Sequence, residues 1–383
     1  MLVLLRSTTA CNLRCRYCSV DCESSGQSLT EEDCRLLVRY LPELVPKGEP
    51  ITYLWHGGEP TLLGPQHFLA LHSILGSVAD CGYTVRSLMQ TNGYALSDAW
   101  VDALKDCDVS LGVSLDGPES FHDAVRCTSG GQGSYARVLA NVERLRSRGV
   151  SVALLCTVRP EHLGNERALV QWMRDLDLPV RVNPLLKFGR SSQELSLDAY
   201  FAFLRTILTL SLELGIRRSI EPLNWMLDSL IGETEPSECS YSGHCARSLF
   251  VYGPGGEVGA CNRSDTRFGS LSEASLVHLW ETDPWKTRRG RLDRLRQTCA
   301  SCPAWRFCHG GCPDVEGESP DPLRCAARRD FFAWLRVEGL ALYKESLLRH
   351  REFLRDRLRV LRKAKEYVAS ELNAGRAQDK AGG

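Results

Sequence analysis

No run of apolar residues in this chain approaches the roughly twenty needed to cross a bilayer, so a helical membrane anchor is set aside. Net charge is lacking as well: 47 Lys and Arg balance 47 Asp and Glu, leaving no overall field to gather nucleic acid or an anionic membrane surface. The first half has no basic stripe interleaved with aromatics, and nucleic acid is not expected as a substrate. The opening MLVLL reaches Arg6 and a polar loop too soon for a secretory signal, which points to the cytoplasm. Partner choice must then come from a local site.

Cysteine, by contrast, is abundant. Seventeen occur in 383 residues, and in a reducing compartment that number argues for metal ligation or redox chemistry rather than disulfides. Length alone suggests two domains. Up to about residue 215, β-branched runs (MLVLLRS, ITYLWHG, YTVRSLMQTNG, VSLGVSLDG, SVALLCTVRP, LPVRVNPLL) alternate with amphipathic segments at 30–45, 66–79, 97–106, 134–148 and 165–176. Six strand-helix units in strict alternation predict an α/β fold with a parallel sheet and right-handed crossovers, its site at the carboxyl ends of the strands.

Helical pattern returns at 197–214 and 223–231, and residues 216–235 read as a linker. Residues 236–330 are rich in Cys, Gly and Pro, a texture held together by ligand bonds more than by a core. Residues 331–375 read as a helical extension, with Leu347, Leu354, Leu358, Leu361, Val368 and Leu372 on roughly one face and a mostly basic remainder. Such a helix packs on the domain or docks an acidic partner. Residues 376–383 read as a disordered tail.

Directly after the first strand, Cys11, Cys15 and Cys18 follow the pattern C-x3-C-x-aromatic-C. Three thiolates on one loop can hold three corners of a [4Fe-4S] cluster and leave the fourth iron open. Zinc is the alternative, with Cys22 as a possible fourth ligand. The second strand ends LWHGGEP, where Gly57 and Gly58 permit a close approach and Glu59 offers a carboxylate to an ammonium group. The fourth ends VSLDGP, with Ser114 and Asp116, and Arg126 follows. A hydroxyl there suits a ribose and a guanidinium suits a carboxylate.

These motifs together resemble the radical S-adenosylmethionine superfamily. The resemblance implies a partial (β/α)6 TIM-like barrel and a cluster whose open iron chelates S-adenosylmethionine, which is cleaved to a 5′-deoxyadenosyl radical. It implies cofactor contacts from Tyr17, near the adenine, from Gly57, Gly58, Glu59 and Pro60, and from Ser114 and Arg126. Gln90 and Asn92, in QTNG at the end of the third strand, would line the substrate side.

Eight further cysteines follow the pattern C-x10-G-x4-C, from Cys245 through Gly256 to Cys261, and C-x2-C-x5-C-x3-C-x12-C, from Cys299 to Cys325, with Cys239 just ahead. Eight thiolates suit two fully ligated four-iron clusters or two zinc sites. The arrangement resembles the SPASM extension of radical maturases. That resemblance implies one auxiliary cluster on Cys239, Cys245, Cys261 and Cys312 and another on Cys299, Cys302, Cys308 and Cys325, hence three [4Fe-4S] clusters in all. Eleven cysteines are then used, leaving Cys22, Cys34, Cys81, Cys107, Cys127 and Cys156. Most of these fill core positions, whereas Cys127, beside Arg126, is a candidate for a redox or substrate role.

Fully ligated auxiliary clusters can accept an electron, which favours net oxidation. The SPASM resemblance makes a ribosomally made precursor peptide the leading substrate, cross-linked through carbon-carbon or thioether bonds. The alternatives are a formylglycine maturase of sulfatases, a dehydrogenase of a small metabolite alcohol, and a non-catalytic zinc-binding scaffold. Sulfatase maturases carry an Asp after the third cysteine of the nearer auxiliary site as proton acceptor. Here that residue is Asn262, whose amide cannot take the proton, while Asp265 is close enough in sequence to reach the same space. Catalytic candidates are thus Gln90, Asn92, Asp116, Cys127, Asn262 and Asp265. A first strand starting near residue 2 leaves no room for an N-terminal leader-binding module, so the precursor is expected to dock on the barrel and SPASM surface, to use the basic C-terminal helix, or to come with a separate leader-recognition protein; an electron donor such as flavodoxin or ferredoxin is expected as well.

Overall fold

Alternation is what turns the apolar runs into strands. In β2 (Ile51–Gly57) the residues Ile51, Tyr53 and Trp55 are buried, whereas Thr52, Leu54 and His56 on the other face are partly exposed. The same rule holds in β5 (Val152–Val158) and over most of β3 (Val85–Thr91), β4 (Ser110–Ser114) and β6 (Val180–Pro184), whereas β1 (Leu2–Thr8) is buried on both faces from Val3 to Leu5. The computed structural model describes residues 1–18, 20, 26–191, 193–216, 218–232, 239–317, 319 and 321–349.

Four shorter strands complete the sheet: β7 (Ile220–Glu221), β8 (Leu249–Tyr252), β9 (Glu257–Gly259) and β10 (Arg267–Ser270). The ten strands run in the order β10-β9-β8-β1-β2-β3-β4-β5-β6-β7 and do not close. From β8 through β7 every pairing is parallel, and β9 and β10 are antiparallel additions. The six expected strand-helix units are all present, each strand followed by a covering helix: Glu31–Leu44, Pro65–Gly76, Asp98–Asp106, Tyr135–Ser147, Glu166–Leu176 and Leu197–Glu213. The first of these starts at Thr30, whose hydroxyl accepts from the Asp33 N–H while Asp33 accepts from the Thr30 N–H, a reciprocal cap.

Composition had suggested a break before the cysteine-rich stretch, yet the sheet runs through it. Strand β8 pairs with the free edge of β1, Leu2 opposite Leu249 and Leu5 opposite Tyr252. The Tyr252 hydroxyl also donates to the Asp33 carbonyl at 2.7 Å, tying that strand to the first helix. Helix Pro322–Trp334 then packs on helix Leu197–Glu213, with the Phe201 and Phe331 rings stacked 4.2 Å apart. It continues through a π-helical turn at Leu335–Gly339 into Leu340–Arg349. The remainder of the expected extension and the tail, residues 350–383, lie outside the described residues, as does Cys22. No helix among the described residues is long and apolar enough to cross a membrane.

The stacked pair yields a direct test. Phe331, fully buried, replaced by Ala should cost about 3–5 kcal/mol and lower the melting temperature clearly, whereas Leu323→Ala, at a side chain 76% exposed, should leave melting within about 0.5 kcal/mol of wild type.

Candidate functional site

The loop carrying the first three cysteines is held from three sides. Strand β1 delivers Thr9 and Ala10, and the chain ends of β2 and of the segment at Gly26 close on them. A Cβ at Gly58 would lie 2.0 Å from the Ala10 carbonyl oxygen, and one at Gly26 would lie 2.6 Å from the Ala10 nitrogen. Gly57 adopts φ +120° with the Thr8 carbonyl 2.6 Å from its missing Cβ. The glycine pair makes room for the protein's own cysteine loop. The third side is the stretch Val125–Thr128, where the Arg14 N–H donates to the Cys127 carbonyl at 2.7 Å and the Arg16 N–H to the Val125 carbonyl at 3.0 Å.

Charge is distributed tightly around this loop. Arg126 donates from Nε to Asp116 Oδ2 at 2.8 Å and from Nη1 to Cys15 Sγ at 3.8 Å, and lies 5.4 Å over the Tyr17 ring. The Tyr17 hydroxyl donates to the same Asp116 oxygen, and the Thr157 N–H donates to Oδ1 at 2.9 Å. Burial alone would push the Asp116 carboxyl up, but the Arg126 charge and these donors hold it below the usual carboxylate range. Burial likewise pushes the Cys15 thiol up to about 12, against the pull of Arg126, with Cys18, Asp116 and Cys11 adding to the rise. The three thiols are therefore near enough to feel one another.

Asn92 sits on the opposite flank, its Nδ2 donating to Asn12 Oδ1 at 2.7 Å and to Cys11 Sγ at 3.8 Å. Glu59 does not face outward. Its carboxylate is buried and accepts from Thr61 N–H and Oγ1, from Thr91 Oγ1 at 2.6 Å and from Asn92 N–H at 2.7 Å. Burial raises its carboxyl against those four donors. Its lone pairs fasten the end of β3 to the end of β2, an internal brace beside the cysteine loop.

Other sequence candidates divide in the same way. Gln90 Nε2 donates to Ser114 Oγ at 3.0 Å on the face away from the helices, and its amide lies over Gly112, where a Cβ would meet Oε1 at 2.3 Å. Asp116 is fully buried and committed to Arg126, which removes it as a proton acceptor for a substrate. Cys127 caps the Arg14 carbonyl and pairs by its backbone with the cysteine loop, a structural task. Asp265 is exposed. Asn262 is different from all of these: both polar atoms of its amide are shut off from solvent and neither has a partner, an uncommon condition that calls for a ligand or a functional reason.

The later cysteines fall into two electrostatic groups. Cys245 feels Cys312 and Cys261, and Cys312 feels Cys261. Cys325 feels Cys299 and Cys302, and Cys308 feels Cys325. Burial pushes Cys245 up to about 11. The side chain of Cys239 lies outside the described residues. Among the described residues no three His, Cys, Asp or Glu side chains converge on a single ion. A tetrahedral zinc with Zn–S near 2.3 Å would bring its thiolates within about 3.8 Å of each other, whereas a cubane spreads them over the corners of a cage. Grouped thiols, with N–H donors on Cys11 and Cys15, suit an iron-sulfur donor set.

Sequence reading missed the arginines. Arg288 grips Asp314 at 2.8 and 2.5 Å beside Cys245. Arg291 clamps the carbonyls of Gly310, Gly311 and Gly317 between the two groups. The Gly-Gly pair separating Cys308 from Cys312 was the available signal.

Residues 5–173 match the family profile described as Radical SAM superfamily. The chain is 26% identical over 338 residues to a serine-type anaerobic sulfatase-maturating enzyme of Klebsiella aerogenes, covering 85% of this chain and 82% of that protein. Its fold is similar to that of native anSMEcpe with bound AdoMet and Cp18Cys peptide, at TM-score 0.77 and 22% identity, over 90% of this chain and 98% of that one. Similar too is the fold of Streptococcus suis SuiB bound to precursor peptide SuiA, at TM-score 0.60 and 14% identity, over 84% of this chain and 73% of that one.

The grip on the cysteine loop is testable. Gly58→Ala should displace Ala10 and with it Cys11, read as a loss of bound iron after anaerobic reconstitution, while Gly76→Ala, where nothing lies within 4 Å of the added carbon, should bind as much iron as wild type.

Proposed function

Residues 5–173 form a radical SAM domain, and from that premise we propose that this chain is a maturase that removes hydrogen from one residue of a peptide or protein substrate and oxidises it by two electrons. What supports the reading is that the strands between Cys245 and Cys261 join the same sheet as the β1 cysteine loop, through the β8–β1 pairing, with the later thiols grouped beyond them. Bound at Cys11, Cys15 and Cys18, a [4Fe-4S] cluster with S-adenosylmethionine supplies a 5′-deoxyadenosyl radical. Cys239, Cys245, Cys261 and Cys312 would hold one auxiliary cluster, and Cys299, Cys302, Cys308 and Cys325 the other.

The chain's own residues prepare that chemistry. Arg126 and Asn92 direct N–H groups at two of the three loop thiols, stabilising them as thiolates. Tyr17, held by Asp116, presents its ring beside the loop, and Ser114 with Gln90 offers polar atoms on the face away from the helices. Two electrons and two protons leave the substrate in total: one hydrogen atom goes to the radical, then one electron and one proton depart.

Two product classes fit. Likeness to sulfatase maturases over most of the chain favours formylglycine on a Ser or Cys side chain. Asn262, an amide where those enzymes carry a carboxylate, favours capture of the oxidised carbon by a neighbouring group, a cross-link. Mass spectrometry of candidate peptides after anaerobic turnover with reductant and S-adenosylmethionine separates them. Oxidation with reactivity toward a hydrazide marks the aldehyde, and loss of two hydrogens without such reactivity marks the cross-link. No oxidised peptide, despite 5′-deoxyadenosine formation, would remove the peptide from the proposal in favour of a small alcohol.

Iron tests the cysteine assignments separately. Wild-type protein should hold roughly twelve irons, four per cluster. The triple variant Cys11→Ala, Cys15→Ala, Cys18→Ala should keep about two-thirds of them and form no 5′-deoxyadenosine. A colourless protein with stoichiometric zinc would sink the reading.

A further inference from the structure

Helix Pro322–Trp334 carries Cys325 in its first turn and Arg328 one turn later, so the two side chains share a face. Arg328 is 4% exposed, and its Nη2 donates to Glu316 Oε1 at 2.5 Å. The rest of its guanidinium is unusual: Nε and Nη1 are buried and have no acceptor. An arginine with two desolvated, unpaired N–H donors is costly, and native proteins seldom leave such groups without a purpose. The site is built for the guanidinium, since Gly311 is kept free of a Cβ that would stand 2.6 Å from Nη2.

Cys308 and Cys325 are the thiols that feel this charge. At Cys308 the Arg328 charge outweighs that of Glu316, and at Cys325 Arg328 is the foremost charge. The other group is arranged differently. There Arg288 spends both of its Nη atoms on Asp314, and at Cys312 the Asp314 carboxylate is the foremost charge. Arg288 is nevertheless the foremost charge at Cys245, so both groups face a guanidinium paired with a carboxylate, and what sets Arg328 apart is that its Nε and Nη1 still have N–H bonds to give.

Resting on the reading that Cys299, Cys302, Cys308 and Cys325 hold an iron-sulfur cluster, we propose that Arg328 is its potential-setting residue. Its Nε–H and Nη1–H donate to the sulfur atoms there and make this cluster easier to reduce than the one on the Cys245 side. Hydrogen bonds to sulfur are a lever that moves such potentials, and here they favour the more negative, reduced form. An electron leaving the substrate would therefore come to rest on the cluster of Cys299, Cys302, Cys308 and Cys325.

The test is an EPR-monitored redox titration of the anaerobically reconstituted full chain, with iron counted in parallel. Wild type is compared with Arg328→Lys, which keeps the charge and loses the planar donors, and with the double variant Arg328→Gln/Glu316→Gln, which leaves no lone buried charge. Expected is a fall of one midpoint in both variants, with the others unmoved and iron content retained. The size expected is a tenfold change in the reduced-to-oxidised ratio, about 59 mV for one electron. Unmoved potentials with full iron would overturn the proposal, and a fall in the double variant alone would overturn the assignment to the planar N–H donors. Loss of iron from Arg328→Lys would make the residue a scaffold element. Wild-type protein without iron-sulfur signals would instead overturn the cluster reading on which the proposal rests.

Discussion

Strand β1 is paired on both edges, and the rest of the molecule follows from that. Its partner on one side, β2, begins the run of parallel strands, and its partner on the other, β8, begins the cysteine-rich region. Because all three are parallel, β1 and β2 end on the same side of the sheet, where Gly57 and Gly58 close on Thr8 to Ala10. The first cysteine loop is thus fixed by backbone against backbone. A loop held that way returns to one geometry after each encounter with a ligand, which loop side chains alone would not guarantee.

Much of this was legible in the sequence. Strict alternation of strand and helix patterns announced the parallel sheet, because each segment carries its own period and crossovers have one hand. Cysteine spacing separated the first loop from the later cysteines. Strands β8 to β10 were not legible: each has four residues or fewer, too short for a period to be seen. Their pairing depends on the edge that β1 offers.

The polar residues were legible by type and not by direction. Glu59 and Asp116 sit in motifs beside a binding loop, and a carboxylate there reads as a ligand to something. Both are turned inward instead, one bracing β3 to β2 and the other holding Arg126 and Tyr17. Which way a carboxylate faces is settled by donors from distant segments, Thr91, Asn92 and Thr157 among them, and no local pattern records those contacts. Asn262 shows the converse, since only the fold reveals that its amide is buried and unanswered.

A zero net charge conceals a repeated local arrangement. Each cysteine group has one buried arginine backed by a carboxylate: Arg126 with Asp116, Arg288 with Asp314, and Arg328 with Glu316. Buried ion pairs of this kind rarely stabilise a fold beyond what apolar residues would, since desolvation offsets the attraction. Their recurrence beside thiols gives them another reason. Thiolates assembled in a low-dielectric pocket repel one another, and a cation that cannot lose its proton is the group that offsets them without depending on pH. The carboxylate behind each guanidinium then sets where the N–H bonds point, so the three pairs differ in what they offer the sulfur atoms although their formal charges are the same.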